Sequence, residues 1–81
     1  KIDSWEVDFI ALKEGVTEYY QIAQTVKDQS VLERELSPFN KIGDHNPKYL
    51  LTLDEQPLTI HNGIKQINAI DWLLEEEINR R

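Results

Sequence analysis

The sequence predicts an α/β domain in which a mixed four-stranded sheet carries packed helices, in the order β-β-α-β-β-α. Three observations predict this fold. Two strand-like segments flank a turn signal near the start, apolar residues recur at helical spacing in the middle, and two further short strand patterns precede a terminal helix. The chain has 81 residues, of which 40% are hydrophobic, and this is enough for one small domain with its own core.

The first two predicted strands cover residues 5–12, which alternate, and residues 17–25, which are rich in Thr, Tyr and Ile. Between them, Glu14-Gly15 is a signal for a tight turn, and a two-residue loop fixes the register of the hairpin. One face of this hairpin is apolar, and we expect it to be the core face. Its residues are Trp5, Val7, Phe9, Ala11, Tyr20 and Ile22.

The other face of the hairpin is more polar. The same register places Asp8 opposite Gln21 and Glu6 opposite Ala23. Because alternate residues of a strand share a face, these four residues lie side by side. They form the candidate functional site of the sequence.

A helix is predicted after the hairpin. Ser30 and Glu33 fit a capping box, in which both side chains satisfy free backbone N–H groups. Pro38 interrupts the pattern and predicts a kink or a split into two pieces, and Gly43 is a plausible end. The buried stripe of this helix consists of Leu32, Leu36, Phe39 and Ile42.

Residues 48–54 predict a central strand, which a helical crossover would make parallel to the strand before it. The stretch from Asp54 to Gly63 is predicted as a loop, and residues 64–69 as a last short strand. Asp71 is predicted to cap the terminal helix. The apolar residues of that helix are Trp72, Leu73, Leu74 and Ile78.

Composition narrows the possible functions. Fifteen acidic residues against nine basic ones give a net charge of -6, and Arg80–Arg81 is the one local basic cluster. Autonomous nucleic-acid binding is therefore disfavoured, because such binding depends on neutralising phosphates. The absence of cysteine excludes disulfides and thiolate metal sites. No apolar run is long enough for a membrane span, and we expect a cytoplasmic domain without membrane partners.

The polar face of the hairpin suggests a particular chemistry. Metal-dependent nucleases need carboxylates that converge on one divalent cation, usually Mg²⁺, which activates water and stabilises charge on the phosphate. A hairpin can supply them with an aspartate on one strand and Glu-x-Lys on the next, because alternation brings these groups to one face.

Five phrases of the sequence together cover nearly the whole chain: EVDFIA at 6–11, YYQIAQTV at 19–26, VLERELSPFNKI at 31–42, HNPKYLLTLDE at 45–55 and GIKQINAIDWLL at 63–74. These phrases resemble the PD-(D/E)XK nuclease-like superfamily. They resemble more closely the C-terminal nuclease-like domain of uncharacterised bacterial and archaeal AAA-type ATPases. The resemblance implies a restriction-endonuclease-like fold, truncated here at its N-terminal side, with an ATPase region upstream. Because the chain starts at Lys1, without methionine, we expect it to be a piece of that longer protein.

Carried over to this sequence, the resemblance implies a degraded site. Asp8 matches the motif aspartate, Gln21 stands where the second acidic residue belongs, and Ala23 stands where the lysine belongs. Glu6 is on the same predicted face and is a possible substitute carboxylate, so Asp8 and Glu6 are the candidate metal ligands. The alternative is that Asp8 is a polar residue of a solvated strand face.

The sequence therefore predicts a non-catalytic nuclease-fold domain, without a cofactor, that serves as an accessory or interaction module of an AAA-type ATPase. Its partners would be the upstream ATPase region and another protein or a second copy. Two alternatives stay open: a divergent nuclease that uses Mg²⁺, and a plain dimerisation module with an open sheet edge. No glycine-rich phosphate loop is present, so any ATP chemistry lies upstream.

Overall fold

The structure, a computed structural model, describes residues 7–79. Within them, five strands form one mixed sheet in the order β1-β2-β3-β5-β4. The α/β class is confirmed, but the prediction of four strands was wrong by one strand. The elements are β1 (Phe9–Lys13), β2 (Val16–Ile22), α1 (Gln29–Leu36), a 3₁₀ helix (Ser37–Lys41), β3 (Lys48–Thr52), β4 (Thr59–His61), β5 (Ile64–Asn68) and α2 (Ala69–Asn79).

The β1–β2 hairpin has the predicted register, with Phe9 paired to Tyr20 in antiparallel orientation. Its two-residue loop closes the hairpin because Glu14 and Gly15 both adopt positive φ, at 52° and 82°. This backbone twist matches the twist of the flanking strands. Both strands are shorter than predicted, since β1 begins at Phe9 and β2 ends at Ile22.

Strands β2 and β3 are parallel, as predicted, and α1 lies in the crossover between them. The N-cap of α1 is Asp28 rather than Ser30, because the Asp28 carboxylate accepts from the Ser30 backbone N at 2.8 Å. The predicted interruption at Pro38 is confirmed: α1 ends at Leu36, and a 3₁₀ helix with proline in its first turn follows.

β4 lies inside the stretch that the sequence predicts as a loop, which is the reason for the extra strand. It pairs antiparallel with β5, and β5 in turn pairs parallel with β3. Asn62 and Gly63 form the turn of this second hairpin with φ angles of 52° and 87°. The cap of α2 is also different from the prediction: the Asn68 side chain, not Asp71, accepts from the first free backbone N–H groups of the helix.

The predicted core face of the first hairpin holds only in part: Val7 and Tyr20 are buried, but Phe9 and Ile22 are exposed, and Trp5 lies outside the described residues. The main core lies on the opposite face of β2, which carries Tyr19, and Gln21 is buried there instead of facing solvent. The predicted face is covered by Trp72 of α2, which buries Tyr20 but leaves Ile22 about half exposed. Because Tyr19 and Tyr20 are consecutive, each face of the hairpin carries one aromatic ring, and the sequence pattern did not show which face lies against the main core. The buried cluster is Val7, Tyr19, Val26, Phe39, Ile42, Leu50 and Ile64.

The stripe predicted for the α1 region is confirmed. Leu32 and Leu36 of α1 pack against the buried cluster, and Phe39 and Ile42 belong to it. Leu50 of the central strand is fully buried beneath them. No helix within residues 7–79 combines the length and the apolar character that crossing a membrane requires.

The β4–β5 turn gives a direct test of the second hairpin. We expect Gly63→Ala to lower the free energy of unfolding by about 1–2 kcal/mol, because an L-residue with a side chain is strained at positive φ. Gly43→Ala is the matched control, since an added Cβ meets nothing within 4 Å at either glycine and only Gly63 has a positive φ. Urea denaturation of both variants measures the difference. Equal free energies of unfolding for the two variants would contradict a positive φ at Gly63.

Candidate functional site

Asp8 and Gln21 come together as the sequence predicts. The backbone N of Asp8 donates to Oε1 of Gln21 at 2.6 Å, and the backbone N of Ile22 donates to Oδ2 of Asp8 at 2.7 Å. Asp8 lies in a bend just before β1, so side chains replace the regular strand hydrogen bonds at this end of the hairpin. The Asp8 carboxylate thus satisfies a backbone group of the neighbouring strand.

The amide of Gln21 is buried, with 5% of the residue exposed. Besides the contact with Asp8, its Nε2 donates to the backbone O and to Oε1 of Glu35, both at 3.3 Å. Gln21 therefore connects the start of β1, strand β2 and helix α1. Sequence reasoning missed Glu35, because the turn of α1 that faces the sheet carries no motif of its own.

Ala23, where the resemblance implies a lysine, brings no polar group. Its side chain is partly buried against the core, and its backbone N donates to the O of Leu51 at 3.0 Å. This bond continues the pairing of β2 with β3 beyond the end of β2. The position is a packing position in this chain.

The possible metal ligands around Asp8 do not fit the site that the resemblance implies. Residues 7–79 contain no group of three or more His, Cys, Asp or Glu side chains placed to hold an ion. The Gln21 oxygen accepts from Asp8, and one carboxylate oxygen of Asp8 accepts from Ile22. The substitute candidate, Glu6, lies outside the described residues.

A second carboxylate, which the sequence did not single out as a site residue, lies at the end of the central strand. Asp54 is buried, and its two oxygens accept from the Thr25 hydroxyl at 2.6 Å and the Val26 backbone N at 2.9 Å. These two bonds, with the Thr25 bond the stronger cause, hold the pKa of Asp54 below its ordinary value. A polar residue two positions after the end of a central parallel strand is the sequence signal that points to this position.

Asp54 thus has a structural role. Its oxygens hold the segment between β2 and α1, and its own backbone O accepts from the Asn68 side chain at 3.1 Å. The residue joins the ends of β2, β3 and β5. Both of its carboxylate oxygens are used inside the protein.

Comparison with known proteins gives little functional information. No family model and no solved structure matches the chain. An uncharacterised protein of Haemophilus influenzae is similar to it, with 35% identity over 75 residues that make up 93% of this chain. The chain spans only 18% of the length of that relative.

The role of Gln21 is tested by introducing the carboxylate that the resemblance implies at this position. We expect Gln21→Glu to lower the free energy of unfolding at pH 7 by about 1–3 kcal/mol, because the buried donor to Glu35 is replaced by a like charge. Gln24→Glu introduces the same charge at an exposed position and is the control. Burial raises the pKa of the introduced carboxyl in the folded state, so the loss should shrink as the pH falls towards 5. Equal effects of the two variants in urea denaturation would contradict a stabilising role for the hydrogen bonds of Gln21 to Asp8 and Glu35.

Asp54 predicts a pH-dependent contribution to stability. Because its folded-state pKa lies below the ordinary value of 3.8, its bonds stabilise the protein above that value, and this stability is lost as the pH falls through the depressed folded pKa. We expect Asp54→Ala to lower Tm by several degrees at pH 7 and by much less near pH 3. Glu55→Ala, which removes an exposed neighbouring carboxylate, is the control for calorimetry. A loss of Tm that does not change with pH would contradict this role.

Proposed function

We propose that this chain is a nuclease-fold domain that has lost cleavage and serves as an accessory interaction domain of an AAA-type ATPase. The observation that carries the proposal is the use of the Gln21 amide. Both ends of this amide are bonded inside the protein, to Asp8 and to Glu35. A residue in this role stabilises the fold and has no free group for catalysis.

The arrangement of the elements supports the nuclease ancestry. An antiparallel hairpin leads through a helical crossover into parallel central strands, and the motif positions meet at the end of that hairpin. This order agrees with the restriction-endonuclease-like fold that the resemblance implies. With Ala23 at the lysine position, the residue that would neutralise charge on a phosphate is missing.

An accessory role also agrees with the relative from Haemophilus influenzae. More than four fifths of that protein lie outside the matched part, which leaves ample length for an ATPase region. In this proposal the domain is cytoplasmic, and its partner is the ATPase region or a protein recruited to it. The net charge of -6 supports a protein partner over a nucleic acid that the chain would bind alone.

One observation favours dimerisation as a second candidate function. Among the described strands, β1 is an edge strand, and Ile10 and Leu12 on it are 46% and 75% exposed. Exposed apolar edge strands pair readily with another chain. Light scattering over a range of concentrations tests this candidate, and a constant monomer mass would contradict it.

The loss of cleavage is tested with purified protein and Mg²⁺ or Mn²⁺ on supercoiled DNA, linear DNA, single-stranded DNA and RNA. We expect no cleavage above the buffer control, because the lysine that assists the metal-bound water is absent. Cleavage that disappears in Asp8→Ala and persists in Glu33→Ala, a carboxylate removed elsewhere, would overturn the proposal in favour of a divergent nuclease.

A further inference from the structure

Helix α2 carries its apolar stripe on the outside. Four large aliphatic residues on it are each more than half exposed, and their spacing of i, i+3, i+4 and i+8 places them on one side of the helix. Helices of globular proteins normally turn such a stripe towards the core. The residues of this stripe, called the α2 stripe below, are Ile70, Leu73, Leu74 and Ile78.

Two contacts on the inner side of α2 fix this orientation. The Trp72 ring packs edge-on against the Tyr20 ring with 5.3 Å between their centroids. One turn later, the Glu76 carboxylate binds Nζ of Lys13 on β1 at 2.8 and 3.0 Å. Because Trp72 and Glu76 both face the sheet, the opposite side of the helix faces solvent.

Acidic residues accompany the stripe. Asp71 and Glu75 are one helical turn apart along one border, and Glu77 lies within the arc of the stripe itself. All three residues are exposed. The surface therefore combines an apolar centre with negative charge, which is complementary to an apolar surface bordered by positive charge.

A second copy of the chain fits this surface poorly. In an antiparallel pair of α2 helices centred on Leu74, Glu77 of one copy lies opposite Asp71 of the other. In a parallel pair, equal carboxylates lie opposite each other. Both arrangements place like charges together at the border of an apolar contact, which disfavours self-association through α2 at neutral pH.

We propose that the α2 stripe is the docking site for an amphipathic helix with an aliphatic face and Lys or Arg residues along its borders. The proposal deepens the interaction function proposed above and rests on it. The aliphatic face of the partner would cover the α2 stripe, as in other complexes in which an apolar helix face is bound. Its basic residues would contact Asp71, Glu75 and Glu77.

A peptide of Leu and Lys in a helical pattern, about 14 residues long, is the probe, and fluorescence anisotropy measures its binding to the 81-residue chain. We expect binding that weakens as salt is added, because the acidic border contributes to it. The same pattern with Glu in place of Lys should not bind. A peptide of the same Leu and Lys content in scrambled order should bind much more weakly.

Matched variants locate the binding surface. Leu74→Gln should weaken binding by at least about tenfold, because it removes an apolar side chain that the peptide buries. Leu12→Gln changes a more exposed leucine on β1 and should leave the affinity within about twofold. Glu77→Gln should weaken binding about threefold, and Glu33→Gln on α1 should not change it. Circular dichroism checks that every variant is folded.

Three results would overturn the inference. They are absence of binding, equal binding of the Lys and Glu peptides, and an equal loss of affinity in Leu74→Gln and Leu12→Gln. A dimer in sedimentation experiments that Leu74→Gln disrupts, without peptide binding, would assign the stripe to a second copy instead. None of these results depends on the cleavage assay. The partner assignment can therefore fail while the proposed loss of cleavage holds, and the two outcomes are distinguishable.

Discussion

The side-chain amide of Gln21 is the interaction on which the rest of the site depends. Its oxygen accepts from the backbone of Asp8, and its nitrogen donates to Glu35 of α1. A buried amide is costly unless its donors and acceptors are satisfied, and here the partners come from two other parts of the chain. The amide therefore links α1 to the sheet and holds the start of the hairpin against β2.

In the function proposed above, this constraint would account for the loss of cleavage. A catalytic carboxylate at the same position would have to leave its lone pairs free for a cation, and it could not donate to Glu35. Glutamine at position 21 and alanine at position 23 make this part of the protein a structural joint between strands and helix. On the other side of the sheet, α2 exposes apolar and acidic side chains together.

The sequence predicts this fold well where the signals are local. The register of the first hairpin follows from a two-residue turn, and the break at Pro38 follows from its missing N–H. β4 was missed because it has only three residues, although Asn62-Gly63 is a strong hairpin signal. The contact of Asp8 with Gln21 follows from the register. The contacts of Gln21 with Glu35 and of Asp54 with Thr25 depend on tertiary packing, which the sequence does not encode locally.

The most direct test of the account is NMR spectroscopy of the ¹⁵N-labelled protein with Mn²⁺ added in small steps. A paramagnetic ion broadens the signals of nuclei near its binding site. If the Asp8–Gln21–Glu35 group is a structural joint, the backbone signals of Asp8 and Ile22 and the side-chain amide signal of Gln21 should broaden no more than those of exposed acidic residues such as Glu33. Selective broadening of the Asp8, Gln21 and Ile22 signals would show a metal site there and contradict the account.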